Sequence, residues 1–106
     1  MKHYNLREED TYDLSFDPSL KEVNDTMKEI RLRIHKGRDS VPKINYIIIF
    51  LFAGHGLLKE GEQVIVINEY DRSNGFYKLF MAESKLRDLA ERYSNAYLIG
   101  IFACCR

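Results

Sequence analysis

Two short stretches carry residues able to do covalent chemistry. In FLFAGHG, residues 50–56, a histidine sits between two glycines at the end of an apolar run. Fifty residues later a second apolar run ends in ACCR, which sets Cys104 and Cys105 before Arg106. A thiolate attacks carbonyl carbon and an imidazole protonates a departing amine, so a cysteine beside a histidine makes a nucleophile and its proton-transfer partner. His55 and Cys105 are the candidates for that pair. Glycines around His55 would give the backbone freedom and let a substrate approach main-chain atoms closely, and the N–H of Gly56 is then a candidate oxyanion donor.

Each of these residues also has an ordinary reading. A cysteine in an apolar strand is usually a small core side chain, and Cys104 is read that way. Cys105 stays open between core thiol, nucleophile and a redox-active thiol in a small α/β module. His55 as a plain turn residue stays open too, while His3 and His35 read as surface residues. A metal site from Cys104, Cys105 and His55 is disfavoured, because adjacent strand residues point in opposite directions and no fourth ligand is evident. The glycines do not form a phosphate loop, since neither the dinucleotide spacing nor a Gly-Lys-Ser/Thr follows. Adjacent cysteines cannot bridge each other without strain, and a reducing compartment would keep both as thiols.

The elements that must position this chemistry are legible from periodicity. Leu20, Val23, Met27, Ile30 and Ile34 recur at spacings of three and four, which predicts an amphipathic helix with Lys21, Lys28, Arg31 and Arg33 on its other face. Asp17-Pro18 and a capping box of Ser19 with Glu22 mark its start, and Gly37 is the expected stop. Residues 45–53, NYIIIFLFA, are apolar without alternation, so the strand they predict is expected to be covered on both faces. Residues 63–70 and 75–80 predict a hairpin across DRSNG, residues 83–94 a second amphipathic helix, and residues 96–104 another fully apolar strand. A short edge strand is expected in TYDLSF, residues 11–16. Helix, buried strand, helix and buried strand in succession predict a doubly wound, mainly parallel α/β sheet, whose chemistry lies beyond the strands' carboxyl ends. If the strands before His55 and Cys105 are neighbours, the two residues meet at one rim.

A buried strand running into AGHG, a helix, and a second buried strand running into ACCR resemble the caspase, metacaspase and paracaspase superfamily of cysteine peptidases, whose histidine lies about fifty residues upstream of the cysteine. The resemblance covers residues 19–106, the middle portion of that family's catalytic domain, and leaves 1–18 as an ill-defined N-terminal segment. It implies a caspase-like sheet and a cysteine endopeptidase that needs no cofactor. Cys105, the cysteine followed by Arg106, would be the nucleophile and His55 the general acid. The main-chain N–H groups of Gly56 and Cys105 would form the oxyanion hole. Substrate-binding residues are not legible, because Ala103 stands where the family carries an acidic residue or glutamine, and Arg72, Arg87 and Arg106 match no known pocket arginine. The expected partners are a protein or peptide substrate and an additional chain or segment that completes the sheet. The alternative is an inactive caspase-fold protein serving as a structural or interaction subunit.

Composition narrows the classes further. A chain of 106 residues makes one ordinary domain. Its 16 basic and 16 acidic residues cancel, eight against nine up to Ser40 and eight against seven beyond, so neither nucleic acid nor anionic lipid is an expected partner. The longest apolar run is about half a membrane span, and the charged start MKHYNLREED does not read as a secretion signal. A cytoplasmic protein without membrane association is expected.

Overall fold

A computed structural model describes residues 8–14, 17–73 and 75–105, with Glu8, Cys104 and Cys105 described by backbone alone. A 3-10 turn at Glu8–Asp10 opens the described chain. The edge strand expected at 11–16 is not formed over residues 11–14, while Ser15 and Phe16 lie outside the described residues. Side-chain bonding wins here over ladder formation. Leu14 packs against the core, and Arg33 ties the segment down by donating to the Asp10 carboxylate at 2.9 Å, the Tyr12 hydroxyl at 3.1 Å and the Glu9 carbonyl at 3.2 Å.

The first helix, α1, spans Leu20–Arg38. Its capping box forms as the sequence predicts: Ser19 Oγ accepts from the Glu22 N–H at 3.1 Å, and Glu22 Oε1 accepts from the Ser19 N–H at 3.4 Å. Such a cap contributes about 1 kcal/mol. Gly37 does not stop the helix. It is buried in the last turn, where a Cβ would fall 2.5 Å from Cε2 of Tyr46, so the glycine lets the ring of Tyr46 close against the helix. The helix ends one residue later, at Arg38, with Asp39 as its C-cap.

The remaining elements are β1 (Tyr46–Lys59), β2 (Glu62–Asp71), β3 (Phe76–Phe80), α2 (Ala82–Arg92) and β4 (Ala96–Cys105). They build one four-stranded sheet in the order β3-β2-β1-β4. The fold is therefore α/β, but the sheet is mixed rather than mainly parallel. Only β1 and β4 run parallel, while β1–β2 and β2–β3 are antiparallel hairpins. The first hairpin turns on Glu60 and Gly61, both at positive φ (54° and 81°), the backbone shape that suits the right-handed twist of a two-residue turn.

Both helices lie on one face of the sheet. Val23 of α1 and Ala82 at the start of α2 join Ile65, Ile67 and Phe80 in one buried cluster, against which Phe50, Phe52 and Phe102 pack. Ile34 joins Leu89, Tyr93 and Ala96 in a second, backed by Tyr46, Ile48 and Leu98. Fully buried side chains such as Phe80 and Ile34 each stabilise the fold by roughly 1.5–3 kcal/mol. Over residues 46–52 of β1 and 96–102 of β4 the even-numbered positions thus face the helices. The odd-numbered ones do not: Ile47, Leu51 and Tyr97 are 66%, 71% and 64% exposed. This corrects the expectation that the β1 strand is covered on both faces, and with it the doubly wound arrangement among the described residues. The apolar composition holds, but no described element lies over that side. The radius of gyration, 15.2 Å against about 13 Å for a compact domain of this size, agrees with a chain that does not close on itself.

Candidate active site at the last rung of the β1–β4 pairing

The pairing of β1 with β4 begins at one buried side chain. Asn95, 0% exposed, donates through Nδ2 to the carbonyls of Ile34 and Ile44 at 3.0 Å each, and its own carbonyl accepts from the Tyr46 N–H at 2.7 Å. The end of α1, the entry to β1 and the start of β4 are fastened at one point. From there the parallel ladder runs without a shift from Tyr46 opposite Ala96 to His55 opposite Cys105. Nine residues along each strand from a common anchor bring the two candidate residues level, one strand spacing (about 4.8 Å) apart. Cys104 stands opposite Gly54 in the same ladder, and Ala103 opposite Ala53.

The backbone at His55 differs from the expected corner. Instead of ending at Ala53, β1 continues through the glycines to Lys59 and changes partner as it goes. His55 is the last residue in register with β4, and Gly56, opposite Ile65, is the first in register with β2. Gly54 supplies the conformational freedom, with φ at +150°, a backbone shape that L side chains rarely adopt. Gly56 is absent from the positive-φ positions, and its place is in the ladder. The glycines that read as strand breakers are thus built into a strand, because a residue without a side chain accepts the unusual φ next to the point where the pairing changes partner.

His55 is exposed, and no described residue holds its imidazole by a hydrogen bond. Arg87, one of the arginines weighed for a substrate pocket, is engaged with the Glu62 carboxylate, which raises its pKa further. Arg72 is exposed in the β2–β3 turn, and Arg106 and His3 lie outside the described residues. An open groove of about 670 Å³ lies on the helical side, between α2 and β4, and its lining includes neither His55 nor Ala103. Among the described residues no cluster of three His, Cys, Asp or Glu side chains is placed to hold a metal ion, and no helix is long and apolar enough to cross a membrane.

Sequence reasoning brings His55, Gly56 and Cys105 to this rim and misses Asn95, which looks like any polar residue in the turn YSNAY. The only signal available was its place between a helical period and an apolar strand. No family model matches this chain, and no curated protein or solved structure matches it either.

Proposed function

We propose that this chain is a portion of a caspase-like cysteine endopeptidase, with Cys105 as nucleophile and His55 as general acid. One observation carries the reading: the unshifted parallel ladder that sets His55 level with Cys105 at the last rung of the β1–β4 pairing. Backbone positions one strand spacing apart are close enough for a cysteine and a histidine to exchange a proton, directly or through one water. The Cys105 thiolate adds to the scissile carbonyl carbon, and the carbon–nitrogen bond then breaks as His55 delivers its proton to the amine. Water hydrolyses the resulting thioester, returning the thiol and releasing the acid. The N–H groups of Gly56 and Cys105 hold the oxyanion, and loss of one such donor costs about a hundredfold to a thousandfold in turnover. The positive φ at Gly54, next to His55, agrees with the same reading, since a glycine lets a substrate approach the main chain closely.

A second reading, a caspase-like fold that acts as a structural subunit without catalysis, is favoured by the bare apolar side of β1 and β4, which suits a component of a larger assembly. An electrophilic peptide probe with mass mapping separates the two. The peptidase reading predicts rapid modification of Cys105 that falls at least tenfold in His55→Ala. A folded protein whose Cys105 labels no faster than free cysteine, with or without His55, refutes it.

A further inference from the structure

We infer that the bare face of β1 and β4 is an interface between two copies of this chain, packed sheet against sheet about a two-fold axis. The inference does not rest on the peptidase reading. Ile47, Ile49 and Leu51 lie in register with Tyr97, Ile99 and Ile101, so six large apolar side chains form a block two strands wide and three rungs long. Beyond it Ala53 pairs with Ala103, so no charged residue interrupts the face. All six are about half or more exposed, from 49% at Ile99 to 71% at Leu51.

Their open surface comes to on the order of 600–700 Å², close to the roughly 800 Å² that each partner contributes to a stable interface of standard size. A lone soluble domain rarely leaves a contiguous apolar patch of that extent without a partner. The shape favours another sheet. Two pleated, isoleucine-rich faces interdigitate at about 10 Å with their strands roughly 30° apart. A two-fold axis lays the same uncharged block against itself, so the patch is self-complementary, as an isologous contact requires. Charge does not oppose the contact either, since the formal net charge is +0.

Sedimentation velocity of the whole chain, from micromolar to about 100 µM, tests the inference. The expected species has twice the 12.5 kDa chain mass. Leu51→Glu and Ile99→Lys each bury an unpaired charge in the contact and raise the dissociation constant about a hundredfold or more. Because both side chains are exposed in the single chain, both variants keep the wild-type circular dichroism and still unfold cooperatively, as folded monomers. Three results overturn the inference. They are a wild-type chain that stays monomeric at 100 µM, a dimer that survives both substitutions, and open-ended oligomers in place of a closed pair. A monomer that instead binds an amphipathic helical peptide on this face assigns the surface to another polypeptide, and ends the inference in the same way.

Discussion

Replacing Asn95 tests whether the amino-end anchor holds β1 and β4 together. Asn95→Ala removes two hydrogen bonds of 3.0 Å, to the Ile34 and Ile44 carbonyls. Each is worth about 1 kcal/mol net, and a buried carbonyl left without its donor costs about 1–3 kcal/mol. Against this stands a gain, because Asn95 Oδ1 is buried with no hydrogen-bond partner among the described residues, and alanine removes it. The expected loss is about 2 kcal/mol, which for a domain of this size lowers the thermal midpoint by roughly 8–16 °C. Asn95→Asp makes the test specific. It keeps the size of the side chain but sets a carboxylate oxygen against two carbonyl oxygens, so it should destabilise at least as much as alanine. Urea and thermal unfolding followed by circular dichroism measure both. An aspartate variant within 0.5 kcal/mol of wild type would show that Asn95 acts by filling space, and that the donor bonds do not fasten β1 to β4.

Gly54→Ala forces a side chain onto a residue at φ +150° and sets its Cβ 3.2 Å from Cζ of Phe52, so a loss of about 1–3 kcal/mol is expected by urea unfolding. The same variant should slow peptide-probe labelling of Cys105, because His55 is the next residue. Glu69 links three elements, accepting from Lys78 of β3 at 3.0 Å and from the Leu20 N–H of α1 at 3.3 Å. The Lys78 bond first and the Leu20 bond second hold its pKa below the ordinary 4.5. A carboxylate with a lowered folded pKa stabilises fully above its ordinary value and loses that contribution as pH falls through the folded one. Glu69→Gln should therefore unfold at lower urea than wild type at pH 7, with the gap narrowing as pH falls below 4.5; a gap that stays equal as the pH is lowered refutes the assignment.

Most of the elements can be read from local patterns that have one physical cause. The Ser-x-x-Glu box caps α1 because its two side chains reach each other's backbone within one turn. Asp71 and Gly75 close the β2–β3 turn through an Asp71 Oδ1 bond to the Ser73 N–H at 3.0 Å and a positive φ of 70° at the glycine. The apolar runs at 46–53 and 96–103 mark two strands in the sequence, but that they are neighbours is supplied by the fold. What escapes the sequence is context. Glycine is equally at home in a turn and in a bent strand, so AGHG reads as an end when it is a change of partner. A residue such as Ile49 reads as buried because water disfavours it, yet its burial depends on what lies over it, and here nothing described does. Asn95 looks like turn chemistry, and only the folded chain brings Ile34 and Ile44 to it.

The unshifted ladder also explains which lengths in this chain matter. The fifty-residue interval between histidine and cysteine is a by-product of an excursion through hairpin and helix, and the rim senses none of its details. Residues added at the Arg72–Gly75 tip would lengthen the interval and leave both groups level. One residue deleted between Tyr46 and His55, or between Ala96 and Cys105, would put them out of step by a full rung. The tolerance of this fold to insertion is therefore the reverse of what a spacing motif suggests: the long stretch is elastic, and the two short rulers of equal length on either side are not.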